Sequence, residues 1–119
     1  MQSFHDVSID MLLDPKLLNG AKRLSAYYLY MFGATDMVAQ SFKLTKDETL
    51  ELYDNLLQSG LFDLSSSNAK LVLNAVRRQS ATHSGMEMMK EGGDNIQYWI
   101  EGAKYAPHRL QEILSSIQG

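Results

Sequence analysis

The chain has no cysteine, so disulfides and thiolate metal sites are excluded, and a reducing compartment fits. No uninterrupted apolar run approaches the roughly 18 residues that a membrane span needs. The segment from Met1 to Asp10 has neither a basic n-region nor an apolar h-region. A cytoplasmic protein without a membrane partner is the expectation. Positive charge is not in excess either: 11 Lys and Arg stand against 14 Asp and Glu, a net charge of -3. There is no global pull toward phosphates, so any nucleic-acid contact must use a local basic patch. The three histidines, His5, His83 and His108, lie far apart with no metal-ligand spacing between any pair. A Gly-rich phosphate loop, a serine elbow and paired carboxylates with an obvious pocket are all missing. These gaps lead us to expect no enzyme, cofactor, metal or small-molecule substrate.

What is present is the composition of a globular protein, 45 % hydrophobic and 21 % charged over 119 residues. No repeat or low-complexity linker interrupts it, so residues 1–119 read as one compact, all-α, multi-helix domain. Phe4, Val7 and Ile9 fit a short strand, a frayed turn or an arm over residues 1–13. Asp14-Pro15 reads as a helix start, with Asp as N-cap and Pro at the first helical position. Leu17, Leu18, Ala21, Leu24, Tyr28 and Met31 then keep helical spacing to a stop near Gly33. Ser65-Ser66-Ser67 caps a helix carrying Leu71, Val72, Ala75 and Val76, which reads on through Met86 and Met89 to Gly92-Gly93. Asp94 is the expected cap of a further helix through Tyr98, Trp99 and Ala103. Pro107 starts the last one, with Leu110, Ile113, Leu114 and Ile117 as its stripe.

The most informative stretch runs from Gly33 to Gly60, GATDMVAQSFKLTKDETLELYDNLLQSG. Residues 35–58 have the grammar of a helix-turn-helix. Ala39 is small where two helices would cross, since a larger side chain would push their axes apart. Val38, Phe42, Leu44 and Leu52 are apolar where the pair would face the core. Thr45 with Glu48 forms a capping box at the start of the second helix, whose apolar face is Leu50, Tyr53, Leu56 and Leu57 before a C′ residue at Gly60. Lys43 occupies the turn where glycine is often used, and Thr49 stands in place of a β-branched aliphatic. The second helix carries Asp47, Glu48, Glu51 and Asp54, which repel phosphates, against Lys43 and Lys46. A plain helical hairpin used for packing has the same pattern.

The run Leu17-Leu18-Asn19-Gly20-Ala21-Lys22-Arg23-Leu24 resembles the leucine-rich opening of the FlhD and FlhC flagellar master regulators. Leu29 through Gly33-Ala34, Lys43-Leu44-Thr45 and Glu51-Leu52-Tyr53 is similar to the Gly-Ala turn, cap and following helix of FlhC, and FlhD has a comparable turn and cap. The likeness covers about residues 15–62 and rests on short motifs. The chain has the length of FlhD and lacks the four zinc-binding cysteines of FlhC, so the resemblance is to an FlhD-type subunit. FlhD's dimer-linking cysteine has no counterpart. The resemblance implies a DNA-binding transcriptional regulator subunit, an activator in that family, acting as a homodimer or with an FlhC-like partner.

On this reading Lys43, Lys46 and Thr49 lie nearest the DNA, and Lys22, Arg23, Arg77 and Arg78 contact the backbone as two clamps. Solvated helix faces account for the same pairs. Tyr27, Tyr28 and Tyr30 span nearly all faces of one helix, so at least one ring should lie off the core. Tyr27, Tyr30, Met86 and Trp99 are the interface candidates, since aromatics and methionine suit partner surfaces as well as cores. His83 and Glu87, one helical turn apart, can pair. The alternative function is a small acidic helical protein-interaction module, an inhibitor, immunity or adaptor protein, without DNA binding. Basic residues gathered on one face would favour DNA; scattered ones beside exposed apolar surface would favour the module.

Overall fold

The computed structural model describes residues 2–10, 20–59 and 62–117. The described elements are α1 (Gln2–Asp10), α2 (Ala21–Ser41), α3 (Lys46–Gln58), α4 (Ser66–Gln79), α5 (His83–Ile100), a 3₁₀ turn (Ala106–His108) and α6 (Arg109–Ser116). No strand occurs among the described residues, so the fold is all-α as its periodicity indicates. The helix start read at Asp14-Pro15 and the stop at Gly60 lie outside the described residues.

Helix α2 is the axis of the molecule. Every residue from Leu29 to Thr35 is buried, so this stretch is enclosed on all sides, as expected of a central helix rather than a surface one. It crosses α5 at glycines. A methyl group on Gly33 would overlap the Met89 carbonyl, and one on Gly92 would overlap the Tyr30 carbonyl. Only hydrogen fits at those two points, and the helix axes approach accordingly. The stops read at Gly33 and at Gly92-Gly93 are therefore corrected: both lie inside continuous helices. Asp94 caps nothing and instead accepts from Lys90 Nζ at 2.8 Å. The long helix expected from Ser65 to Met89 is broken at Ser80 to Thr82, where Thr82 Oγ1 accepts from Gly85 N at 3.0 Å and so starts α5.

The turn after α2 follows the sequence more closely. Lys43 takes a positive φ of 58°, its N–H donates to Gln40 O, and Leu44 N donates to Ala39 O. This is a Schellman stop with lysine in the usual glycine place. Thr45 Oγ1 then accepts from Glu48 N at 3.1 Å, and Thr45 N donates to Glu48 Oε1 at 2.8 Å, completing the capping box. A bend with two arms is thus present around Ala39 and Lys43. Its first arm is the tail of α2, however, not a separate helix beginning at Thr35. Phe42, expected to face the core, is 74 % exposed, while Val38, Leu44 and Leu52 are half-buried.

Residues 2–10 form a helix rather than a strand or loose arm. Phe4 is buried, stacks on Tyr30 at 6.1 Å and approaches Trp99 at 6.5 Å. Phe62, in the α3–α4 connection, lies between 4.9 and 6.1 Å from the rings of His5, Tyr27, Tyr28 and Tyr53. This aromatic cluster ties α1, α2 and α3 together. At the other end Arg109 forms a two-pronged pair with Glu91, both contacts at 3.0 Å, linking α6 to α5. Leu110, Ile113 and Leu114 are buried as their spacing indicates, and Ile117 follows just past the helix end.

Candidate functional site

The residues expected near DNA do not form one surface. Lys43 and Lys46 are exposed at the bend between α2 and α3. Thr49 is turned inward, 4 % exposed, with Oγ1 donating to Thr45 O at 2.9 Å, so its place at a DNA contact is corrected. Lys22 is exposed at the far end of α2, a 21-residue helix about 30 Å long. Its neighbour Arg23 is half-buried and donates through Nε and Nη2 to Ile117 O at 3.1 and 2.9 Å. That guanidinium fastens the start of α2 to the chain after α6, which corrects its reading as a backbone clamp. Arg77 and Arg78 are exposed in the last turn of α4, where positive charge also suits the helix dipole. Arg77 lines a hollow between α3 and α4 together with Lys70 and Asp54.

Two interface candidates are corrected as well. Tyr27 is 7 % exposed and Tyr30 fully buried, so neither ring is open to a partner. Of the three tyrosines it is Tyr28 that lies partly off the core, half-buried on the side of α2 that faces α4. Trp99 is half-buried against the core, and Met86 alone of the four stands exposed. His83 Nε2 pairs with Glu87 Oε1 at 3.0 Å on the surface, as the spacing suggests.

One arrangement has the look of a proton relay. Asp6 Oδ1 lies 3.2 Å from His5 Nδ1, and His5 Nε2 is hydrogen-bonded to the Tyr27 hydroxyl. Burial lowers the His5 pKa, the Asp6 hydrogen bond and charge opposing it, and burial raises that of Tyr27 far above the usual phenol range. Neither His5 nor Tyr27 lines the five hollows formed by α2 with α4, α2 with α5, and α3 with its neighbours. What the contacts show is packing: His5 holds α1 to α2 through Tyr27 and to the α3–α4 connection through Phe62. Among the described residues no three His, Asp or Glu side chains gather as a metal-holding group.

The open surface that does stand out is a groove along the first half of α2. One part, of about 260 Å³, lies between α2 and α4 and is lined by Ala21, Leu24, Tyr28, Leu71, Ala75 and Val76, among others. The second part, about 510 Å³, continues toward α5 past Lys22, Leu29, Thr82, Gly85 and Met88. Ala21, Ser25 and Gln79 line both parts, which makes them one groove. Leu71 is 67 % exposed on its wall. A signal for it exists in the sequence: at about 100° per residue, Ala69, Val72, Leu73 and Val76 fill one arc of α4, and Leu71 and Ala75 fall well outside it. These two side chains are apolar surface beyond the buried face of α4.

Comparison with protein-family models, curated proteins and solved structures finds no match to this chain.

Proposed function

We propose that this protein is a small acidic helical module that works by binding another protein. The observation that carries the reading is the groove, whose floor is apolar, is flanked by exposed Leu24 and Leu71, and has no convergent set of catalytic groups among its described residues. The scatter of the basic residues supports it from the other side. Phosphate contacts add usefully only when several cations meet one backbone, and here Lys22 and Lys43 sit at opposite ends of α2 with Arg23 engaged internally. The resemblance to FlhD-type subunits is consistent with life in a hetero-oligomer. The test is affinity capture from the native host with tagged wild-type protein, followed by reconstitution with the purified candidate. A stoichiometric partner that re-forms the complex supports the module; no partner under these conditions overturns it.

A second reading, the DNA-binding regulator subunit, is favoured by one observation. Lys43 and Lys46 are exposed at a capped two-helix bend around the fully buried Ala39. It predicts a gel shift, alone or with a partner, that weakens steeply with salt and is lost in Lys43→Ala/Lys46→Ala. Absent or salt-insensitive binding in both settings would exclude it.

A further inference from the structure

From the groove along α2 and α4 we infer the chemistry of the partner: an amphipathic helix, two to three turns long, with an apolar ridge and acidic residues at one end. The inference rests on the module reading and specifies its surface. No strand edge is offered among the described residues, so an extended peptide would find no backbone ladder to join. Two helices flanking an open apolar trough offer instead the seat into which a third helix packs, ridges into grooves. From Leu71 to Gln79 the α4 wall is eight residues, about 12 Å, or a little over two helical turns. That length sets the size of the ligand helix.

Charge gives its polarity. Among the described residues Lys22 is the one charged side chain that lines either part of the groove, and none of those lining it is a carboxylate. Three other hollows, by contrast, each hold at least one carboxylate, Asp36, Asp94 or Asp54. Arg78, exposed and seven residues beyond Leu71, falls on nearly the same side of α4, two turns toward the Lys22 end. An apolar trough with cations at one end and no anion among its described lining residues selects a helix whose leucine-type anchors are followed by Asp or Glu. A ligand of this type with several lysines would lose the attraction and gain repulsion.

The inference is tested by selecting a displayed library of random 16-residue peptides on the full chain. Enriched peptides should carry apolar residues at i, i+3 or i+4, and i+7 with an excess of Asp and Glu. Their affinity should fall at least tenfold for Leu71→Asp. Lys22→Glu/Arg78→Glu should weaken them several-fold and flatten their salt dependence. Leu71 is largely exposed, and an unchanged melting curve will show that its substitution spares the fold. Enriched peptides without a helical pattern, without acidic excess, or indifferent to Leu71→Asp would overturn the inference. So would a concentration-dependent dimer that Leu71→Asp abolishes, since the groove would then be filled by a second copy. If the native partner is captured equally well by Leu71→Asp protein, the groove inference fails while the module reading stands.

Discussion

Gly33 and Met89 meet backbone to backbone: the Met89 carbonyl occupies the space that a side chain at Gly33 would fill. The same holds for Gly92 against Tyr30, whereas a methyl on Gly93 would make only ordinary contacts, the nearest at 3.4 Å. These positions should therefore separate in stability. Gly33→Ala and Gly92→Ala must push α2 and α5 apart, at about 1–3 kcal/mol or more each. Gly93→Ala should be neutral or stabilising by up to about 1 kcal/mol, because alanine favours helix. Urea midpoints of the three variants check this, and equal losses in all three would refute the glycine crossing.

The same glycines show where the sequence was legible and where it misled. Read locally, Gly33 and Gly92-Gly93 are helix stops, because glycine tolerates the left-handed backbone. The structure uses Gly33 and Gly92 for close approach, a property that depends on a partner helix more than 50 residues away in the chain and leaves no local mark. The positive-φ positions that follow these two helices are instead Lys43, φ 58°, after α2 and Gly102, φ 105°, after α5. Caps at Thr45 and Ser65 were readable because a side chain and a backbone N–H three residues apart decide them alone. Burial of Tyr27 and Tyr30 was not, since it follows from how many neighbours surround α2. Arg23 could not be assigned either, its partner being Ile117 near the other end of the chain.

Lys43 holds a conformation that strains residues with a Cβ. Replacing it by glycine should raise stability by about 0.5–1 kcal/mol. Thr45→Ala, two residues on, removes the acceptor for Glu48 N and should cost about 1 kcal/mol. Thermal melts of both variants give the two signs directly. A loss of stability in Lys43→Gly would mean that the lysine side chain, not the turn geometry, is what matters there.

Two buried tyrosines make a matched pair of tests. The Tyr53 hydroxyl donates to Tyr28 O at 2.7 Å, while the Tyr30 hydroxyl has no hydrogen-bond partner among the described residues. Removing a satisfied hydroxyl leaves a carbonyl unpaired, so Tyr53→Phe should cost about 1 kcal/mol. Removing an unsatisfied one relieves a desolvated dipole, so Tyr30→Phe should leave stability unchanged or raise it. Denaturant titration of the two variants side by side settles the contrast. An equal loss in both would place a partner on the Tyr30 oxygen.

Acid sensitivity should begin with His5. Its folded-state pKa is lowered by burial, with the Asp6 hydrogen bond and charge opposing, against an unfolded value of 6.5. Below pH 6.5 the unfolded chain takes up a proton that the folded chain resists. The neutral imidazole's contribution is therefore complete above pH 6.5 and drains away as pH falls toward the lowered value. One such proton gives a slope of at most about 1.4 kcal/mol per pH unit. Glu91 acts in a lower window: hydrogen bonding to Arg109 lowers its pKa, so the stability it adds is lost only as pH drops below 4.5. Urea midpoints at pH 7.5, 6.0 and 5.0 should fall for the wild type and stay nearly flat for His5→Phe. Since α1 hangs on this imidazole through Tyr27 and Phe62, amide exchange in residues 2–10 should accelerate over the same interval in the wild type. A wild-type midpoint that holds steady down to pH 5.0 would remove His5 as the acid-sensitive anchor and leave the carboxylates to account for whatever loss appears below.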